Sequence, residues 1–389
     1  MIISHISLKN WRNFQNVEIK MGERVFLVGP NASGKSNFLD VFRFLRDIAK
    51  PEGGGLQKAV NDRGGISKIR CLAARRHPEI EIAIHLAESI EAKPKWKYEI
   101  GIKQQSSGHR LPLLTYERVY KGNDKLLDRP DGDDARDELR LTQTHLQQIN
   151  ANVKFREIVD FFKSILYLHL VPQLVRYPEQ FSATAKSGDL GDPFGRNFLE
   201  RVAKMPDKYR KSRLKKIETA LRIAVPQLKE LKDIKDESGV THLEAVYEHW
   251  RPQGAKQRED QFSDGTLRLI GLLWSLLESD SLLLLEEPEL SLNASIVAKL
   301  PAIFYRLQRQ KKQRIRQLIL STHSADLLSD GGIGADEVFL LRPNVEGTKL
   351  EPASSVKVVR GLLDAGMNLS EAIAPHTRPP NISQLELFE

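Results

Sequence analysis

Cysteine is almost absent from this 389-residue chain, which contains a single residue of this type, Cys71. One cysteine excludes a disulfide within the chain and any zinc site built from several cysteines, so Cys71 is expected to be a small core residue. No stretch approaches the roughly 18 apolar residues that a membrane-spanning helix needs. The N-terminal sequence MIISHISLKNWRNF lacks the basic-then-apolar order of a signal peptide. We therefore expect a cytoplasmic protein with no membrane partner.

Acidic residues are fewer than basic ones: the chain has 51 Asp and Glu and 59 Lys and Arg, which give a formal net charge of +8. A basic excess of this size is compatible with nucleic-acid binding without demonstrating it. Lysine and arginine are dense in residues 208–216 and 306–316. These two runs are candidate DNA contacts. The alternative for the first is the solvated face of an amphipathic helix, and for the second a surface turn.

Apolar periodicity divides the chain into two α/β parts around a middle segment of different character. Residues 1–122 alternate as strands, with one helical pattern after Lys35, and predict the first lobe of a mixed α/β domain with an antiparallel β subdomain. Residues 123–250 carry helical patterns and turn-rich loops, and predict a mainly helical insertion. Residues 251–375 alternate helix and strand, which predicts a second lobe with a parallel or mixed sheet covered by helices. Residues 376–389 contain prolines and predict a flexible tail.

A glycine-rich sequence, GPNASGKS, runs from Gly29 to Ser36 between a predicted strand and a predicted helix. In this context the glycines let backbone N–H groups face phosphate oxygens. Lys35 would reach the β- and γ-phosphates of a nucleotide, and Ser36 would bind Mg²⁺. The alternative is a glycine-rich turn that contains a lysine by chance. The candidate nucleotide-binding residues here are Gly29, Asn31, Gly34, Lys35, Ser36 and Asn37.

A second candidate site follows the apolar run in SLLLLEEPE, residues 281–289. Two unpaired carboxylates at the end of a buried strand are costly, so something cationic is expected beside them. A strand that ends in an acid is the second half of a P-loop site, where the carboxylate holds Mg²⁺. We expect Glu286 to serve the metal and Glu287 to polarise the attacking water as a general base. The alternative is a strand that runs into an acidic surface loop.

Three further segments resemble one protein family. QFSDGT (261–266) resembles the signature loop of ABC-type ATPases, and LILSTHS (318–324) resembles their switch-histidine strand, with His323 after the strand. LKNWRNFQNVEI (8–19) resembles the first strands of the SMC/RecF/OLD branch of these ATPases. The order of the motifs is also that of the family. The sequence is therefore similar to standalone bacterial AAA-family ATPases with an ABC-like head, over about residues 1–120 and 255–345.

The resemblance implies a P-loop fold of the ABC type that binds ATP and Mg²⁺ and works as a head-to-head homodimer. Ser263 and Gly265 of one subunit would contact the γ-phosphate held by Lys35 of the other, and His323 would contact the same phosphate. Loss of that phosphate on hydrolysis would then release the dimer. The chain departs from the family at Glu286, where most ABC ATPases have Asp. The glutamine of the family's Q-loop is not located, and Arg12 and Asn13 are either nucleotide contacts or an exposed strand-end pair.

The family resemblance also implies a biological setting. Such ATPases are often encoded with a nuclease or toxin effector, so we expect a role in DNA-linked anti-phage defence with a separate effector as partner. The alternatives are a RecF-like repair ATPase that binds DNA directly, the ATPase subunit of a transporter, and a scaffold that binds ATP with little turnover.

The last residues, Gln384 to Phe388, read QLELF and resemble the peptide by which bacterial DNA polymerases and repair proteins dock on the sliding clamp. A short extended peptide can bind a pocket through alternating apolar side chains, here Leu385, Leu387 and Phe388. The alternative is a strand that packs on its own domain.

Overall fold

The computed structural model describes residues 1–74, 77–106, 108–178, 194–250, 255–278, 281–309 and 316–377, apart from the side chains of residues 307 and 309. Across these ranges, no helix is both long enough and apolar enough to cross a membrane. The predicted clamp-binding peptide and most of the basic run 306–316 lie outside the described residues.

The described residues form strands that recur from one end to the other. In chain order they are β1 (Ile2–Trp11), β2 (Phe14–Lys20), β3 (Arg24–Val28), β4 (Ile80–Ala87), β5 (Trp96–Gln104), β6 (Pro112–Lys121), β7 (Asp124–Arg129), β8 (Leu166–Leu168), β9 (Leu228–Lys235), β10 (Thr241–Tyr247), β11 (Ala255–Arg258), β12 (Leu283–Glu286), β13 (Leu318–Thr322), β14 (Val338–Asn344) and β15 (Gly347–Pro352).

Helices lie between these strands and cover them. They are α1 (Lys35–Ala49), α2 (Leu56–Asn61), α3 (Ile66–Ile69), α4 (Gly132–Arg136), α5 (Arg156–Lys163), α6 (Pro172–Arg176), α7 (Phe198–Lys204), α8 (Asp207–Ala224), α9 (Asp264–Glu278), α10 (Ala294–Val297), α11 (Leu300–Arg309), α12 (Ala325–Leu328), α13 (Lys357–Asp364) and α14 (Leu369–Thr377).

The first sheet has six strands in the order β2-β1-β4-β5-β6-β7, and every neighbouring pair is antiparallel. In β4, buried residues alternate with partly exposed ones, so one face packs on the core while the other faces solvent. This sheet is the predicted antiparallel β subdomain.

The second sheet also has six strands, in the order β15-β14-β3-β13-β12-β8, and it is parallel except for the β14–β15 pair. All residues of β3 and β13 are buried, as expected for strands with helices on both faces. Because parallel strands share a direction, the carboxyl ends of β3, β13, β12 and β8 meet at one edge of the sheet. Ligands bind at such edges in α/β proteins. This mixed sheet confirms the predicted α/β class.

Two hydrophobic cores share the second sheet. In β3, Val25 and Leu27 belong to one core and Phe26 and Val28 to the other, because successive side chains of a strand point to opposite faces. The first core contains the apolar face of α1 and the inner face of the first sheet. The second core contains α8, α9 and α11. The strand that leads into the glycine-rich loop is therefore held from both sides.

The segment predicted as a mainly helical insertion is more mixed than expected. It contains α4 to α8, but β7 pairs with β6 and β8 pairs with β12, so both strands extend the main sheets. The apolar spacing of residues 154–168 predicts one continuous helix, but the helix ends at Lys163 and the next apolar residues form β8. Periodicity does not separate a short buried strand from a helix. The strands β9 and β10, which join β11 in a third, three-stranded sheet, were also missed. The boundaries of the insertion remain a prediction.

The apolar spacing of residues 293–310 predicts one helix, whereas the structure has two, α10 and α11. Pro301 is the second residue of α11. Proline lacks an N–H and is tolerated in the first turn of a helix but not in its interior. The proline therefore marks a new helix start that the apolar spacing alone did not reveal.

Candidate functional site

The glycine-rich loop folds into a tight turn between β3 and α1. Ala32 and Gly34 have positive φ angles of 61° and 101°. A Cβ atom on Gly34 would lie 2.1 Å from Asn13 Nδ2, and one on Gly29 would lie 2.6 Å from the Leu341 carbonyl oxygen. Only glycine fits at these two positions. The turn leads directly into the N-terminus of α1, where free N–H groups and the helix dipole favour a phosphate.

Lys35 lies inside this turn rather than extending into solvent. Its ammonium donates to the carbonyl oxygens of Gly29 at 3.0 Å and Pro30 at 3.1 Å. Burial lowers the pKa of Lys35 to about 8, while the negative charges of Glu287, Glu286 and Glu289 act in the opposite direction. Among the described residues, no ion pair is formed by this ammonium. The loop therefore holds a desolvated cation that an anion would stabilise.

Glu286 and Ser36 are brought together, as the metal prediction requires. Ser36 Oγ donates a hydrogen bond to Glu286 Oε1, and the hydroxyl of Tyr167 donates to Glu286 Oε2. Hydroxyl and carboxylate oxygens suit Mg²⁺, which is commonly held by one or two carboxylates together with substrate phosphates. Over the described residues, no group of three or more His, Cys, Asp or Glu forms a further metal site. The residues at this edge therefore fit a magnesium ion shared with a nucleotide.

Glu287 and His323 face each other beside this pair. The distance between Glu287 Oε1 and His323 Nε2 is 3.2 Å. Glu287 has a positive φ of 45°, and its N–H donates to the Ser321 carbonyl oxygen on β13 at 3.1 Å. The hydrogen bond to His323 lowers the pKa of Glu287, and the Lys35 charge acts in the same direction. The carboxylate is therefore ionised at neutral pH, which is the form that a general base needs.

Three residues of the site were missed from the sequence. Tyr167 was missed because it lies in β8, which the apolar spacing does not predict as a strand. The guanidinium of Arg43 lies 4.4 Å from the centre of the Tyr167 ring. His169, just after β8, has Nδ1 3.3 Å from the Glu286 carbonyl oxygen. Glu289 accepts from Thr322 Oγ at 2.6 Å and from the His323 N–H at 3.0 Å, and burial raises its pKa. The available signals were the polar residues in LYLH and the third acid in EEPE.

Ser263 and Gly265 lie at the start of α9. Ser263 Oγ accepts a hydrogen bond from the Thr266 N–H at 3.2 Å and so caps the helix. A Cβ atom on Gly265 would lie 2.5 Å from the Ser291 carbonyl oxygen, so glycine allows α9 to approach the segment after β12. No hydrogen bond within the described residues joins Ser263 or Gly265 to the glycine-rich loop.

Asn31 is exposed in the loop, whereas Asn37 turns toward β1 and β2. Asn37 Nδ2 donates to Asn13 Oδ1 at 2.8 Å, and Asn13 in turn donates to the Ser33 carbonyl oxygen at 2.9 Å. Arg12 pairs with Asp40 of α1 at 2.6 Å rather than standing free. A cleft of about 880 Å³ adjoins the loop here, within the size range of ligand pockets, and its lining includes Arg12, Asn13, Ala32 and Asn37.

The basic run 208–216 lies on α8. Leu214 is buried in the second core, and Arg210 pairs with Asp233 at 2.8 Å, whereas Lys208 and Lys211 are exposed. The run therefore contains both packing residues and a solvated basic face. At the end of the run 306–316, Arg316 donates to the carbonyl oxygens of Ser275 and Ser281, which is a structural role.

The site and fold together define an ABC-type ATPase of the SMC/RecF/OLD branch. Residues 24–330 match the family described as "AAA domain, putative AbiEii toxin, Type IV TA system". The match covers most of the chain, and the protein therefore belongs to this family.

Individual relatives agree with this branch, and a solved structure agrees with the fold. A DNA replication and repair protein RecF of Trichodesmium erythraeum is 25% identical over 126 residues, which are 31% of this chain and 29% of that protein. An endonuclease GajA of Bacillus cereus is 45% identical over 47 residues, which are 12% of this chain and 8% of that protein. The matches thus span less than a third of either curated relative. An SMC head bound to the C-winged helix domain of ScpA has the same fold, with a TM-score of 0.51 and 16% identity over 90% of this chain and 97% of that one.

Proposed function

We propose that the protein binds ATP with Mg²⁺ at the edge formed by the glycine-rich loop, β12 and β13, and hydrolyses it. The observation that carries this proposal is the hydrogen bond between Ser36 and Glu286. Lys35 lies close enough for the charge of Glu286 to act on its pKa. Bound Mg²⁺ would neutralise charge on the phosphates. Lys35 would bind phosphate oxygens, Ser36 and Glu286 would hold the metal, and Glu287 would take a proton from the attacking water.

We further propose that two copies complete the site. Ser263 and Gly265 make no hydrogen bond to their own loop within the described residues, and they lie at a helix N-terminus, which favours a phosphate. In the dimer, these residues of one copy would contact the nucleotide held by Lys35 of the other. ATP would then form part of the interface, and hydrolysis would release it.

Light scattering after size-exclusion chromatography tests the dimer. The Glu287→Gln protein with ATP should elute as a dimer, whereas the same protein with ADP should elute as a monomer. A Ser263→Arg substitution in the Glu287→Gln protein places a bulky cation at the contact and should prevent dimerisation, while nucleotide binding remains. Identical masses with ATP and ADP would contradict the switch.

The biological role that we propose is regulation of a separate nuclease or toxin effector in DNA-linked anti-phage defence, in the cytoplasm. The support is the family description, which refers to a toxin, and the segment shared with a protein named as an endonuclease. Affinity purification from the native host with Glu287→Gln as bait tests this role. An effector should be retained with ATP and lost with Lys35→Ala. Recovery of this chain alone in both cases would count against a stable effector partner.

The match to RecF favours a second candidate, a repair ATPase that binds DNA directly. It requires duplex binding that is stronger with ATP and weaker with salt. The exposed lysines of 208–216 are the predicted contacts there, and residues 384–388 remain a predicted clamp-binding peptide. A clamp pull-down that survives deletion of 384–388 would remove the latter prediction. Wild-type turnover that is no faster than ATP hydrolysis without protein, and is equally slow in Glu287→Gln, would instead favour an ATP-binding scaffold.

A further inference from the structure

A second cleft lies beside α1, and its lining is rich in arginine and lysine. Its volume is about 510 Å³. The six cationic residues that line it are Arg12, Arg43, Arg46, Lys50, Lys58 and Arg63. Three aspartates also line it, so the cationic residues exceed the acidic ones by three. We refer to this site as the α1 cleft, and apart from Arg12 it shares no lining residue with the cleft beside the glycine-rich loop.

The carboxylates of the α1 cleft are outnumbered locally as well as in total. Asp40 accepts from Arg12 at 2.6 Å and from Arg63 at 2.9 Å, and Arg43 approaches it at 3.8 Å. Burial opposes ionisation of Asp40, but Arg63, Arg12 and Arg43 outweigh burial and leave its pKa below the usual value. Asp47 accepts from Arg63 at 3.0 Å and from Arg46 at 3.1 Å, and Asp62 pairs with Lys58. Four guanidinium groups therefore share the two carboxylates of Asp40 and Asp47, and positive charge is left over.

Two guanidinium groups of the cleft retain unused donors. Arg46 is 3% exposed, and its Nη1 atom has no hydrogen-bond partner among the described residues. Arg43 Nε is also buried and without a partner over the same ranges. Buried donors without acceptors are unfavourable, so an anion that supplied oxygen atoms here would be stabilised twice, by charge and by hydrogen bonding.

We infer that the α1 cleft is a second anion-binding site, which takes a phosphate-bearing polyanion. Phosphate fits better than a single carboxylate because it brings more than one negative charge and several oxygen atoms into one small volume. Planar guanidinium groups bind such oxygens in pairs. The phosphates can come from a free polyphosphate or from the sugar-phosphate backbone of a nucleic acid. This inference does not depend on ATP hydrolysis.

The α1 cleft also contacts the nucleotide site through side chains. Arg43 lies over the ring of Tyr167, and the Tyr167 hydroxyl donates to Glu286. Arg12 is adjacent to Asn13, which bonds to the glycine-rich loop. A polyanion that draws Arg43 or Arg12 toward itself would thus alter the surroundings of Glu286, so an occupied cleft is expected to change the rate of ATP hydrolysis.

The test uses the full-length protein with the double substitution Lys50→Glu and Lys58→Glu. Both residues line the cleft, and the Lys58 side chain is 51% exposed, so the fold should persist. The matched control is Lys20→Glu with Lys103→Glu, which changes the same charge at two exposed positions of the first sheet. The probes are a fluorescein-labelled short DNA duplex, followed by anisotropy over a salt series, and unlabelled tripolyphosphate, followed by calorimetry. Thermal melts verify folding.

We expect the cleft variant to bind its probe about tenfold or more weakly than wild type, with a salt slope shallower by about one for each lysine when the probe is duplex. Any binding of the probe at the glycine-rich loop should be the same in wild type and the cleft variant, so it does not contribute to the difference between them. Duplex binding that weakens in the cleft variant identifies a nucleic-acid backbone as the ligand, and tripolyphosphate binding that weakens in the cleft variant without any duplex binding identifies a free polyphosphate. Equal binding by wild type and cleft variant overturns the inference, as does an equal loss in the control.

Discussion

Two regions of this molecule that hold buried charges treat them differently. In the first sheet, Arg129 is 1% exposed and pairs with Asp134 at 2.7 Å and with Glu117 at 3.2 Å. Glu117 also accepts from the backbone N–H of His145 at 2.8 Å and from the Tyr98 hydroxyl at 3.2 Å. This group, which we call the Arg129 cluster, is closed because each charge already has its counterpart within the fold.

In the nucleotide site, by comparison, the charged groups of the described residues are incompletely paired. Three glutamates, Glu286, Glu287 and Glu289, stand near the single ammonium of Lys35, which already donates to backbone carbonyls. Glu289 Oε2 is buried without a hydrogen-bond partner among the described residues. A magnesium ion and a triphosphate would supply the missing charges of both signs. The contrast shows that buried charge marks a functional site where it is incomplete, whereas a complete set stabilises the fold.

The largest expected effect comes from removal of the proposed base. Glu287→Gln should slow ATP hydrolysis by about 10²–10⁴-fold, because an amide does not accept the proton of the attacking water. ATP binding and the melting temperature should change little. Phosphate release under saturating ATP measures the rate. A Glu287→Gln protein that turns over at the parental rate would show that the base has been assigned to the wrong residue.

A substitution in the Arg129 cluster should lower stability and leave turnover unchanged. Arg129→Met leaves Glu117 buried without its cation and Asp134 with Arg140 as its remaining partner, which should cost about 3–5 kcal/mol of unfolding free energy. Urea titration measures this loss, and turnover per folded molecule should be unchanged. The control is Arg118→Met, which breaks a pair whose side chains are 39% and 46% exposed and should cost about 0–1 kcal/mol. Equal losses from both substitutions would refute the structural role.

Loss of the loop cation should affect binding rather than folding. Lys35→Ala removes charge-assisted hydrogen bonds worth about 1.5–3 kcal/mol, so ATP affinity should fall about 10- to 100-fold. The unfolding free energy should not decrease, because the ammonium is desolvated and its hydrogen-bond partners within the described residues are backbone carbonyls. Calorimetric titration with ATP measures the affinity. Unchanged ATP affinity would count against the phosphate-binding loop.

Two tyrosines provide the finest comparison, because Tyr167 donates its hydroxyl to the half-buried Glu286 and Tyr98 donates to the fully buried Glu117. Tyr167→Phe frees one oxygen of Glu286 and should lower turnover about tenfold, the lower end of effects for groups that orient a metal ligand. Tyr98→Phe removes the hydroxyl bound to Glu117 and should cost about 1 kcal/mol of stability, with turnover unchanged. Measurement of Mn²⁺ affinity with ATP separates the two, since only Tyr167→Phe should weaken it. A matching loss of affinity in Tyr98→Phe would remove the distinction.

The parts of the site that were predicted are those encoded by short contiguous patterns. The loop from Gly29 to Ser36 is recognisable because glycine is required where a side chain would collide, as the contacts at Gly29 and Gly34 show. Glu286 and Glu287 follow a leucine run that has to be buried. The antiparallel sheet was also predictable, because apolar and polar residues alternate in β4 and through most of β5.

The missed parts depend on pairing between distant segments. Tyr167 reaches Glu286 only because β8 lies beside β12, with Tyr167 opposite Leu284, and a three-residue strand leaves no periodicity to detect. Glu289 was passed over because its importance lies in contacts with Thr322 and His323, which come from the next strand of the sheet. Arg12 and Asn13 were left ambiguous for the same reason, since their partners are on α1 and in the loop.

The most direct measurement is a crystal structure of the Glu287→Gln protein with ATP and Mg²⁺. The triphosphate should lie against Lys35, with the metal bound to Ser36 and Glu286 and with Ser263 of a second copy next to the γ-phosphate. Density for the nucleotide elsewhere, or a metal that touches neither Ser36 nor Glu286, would contradict the proposed site.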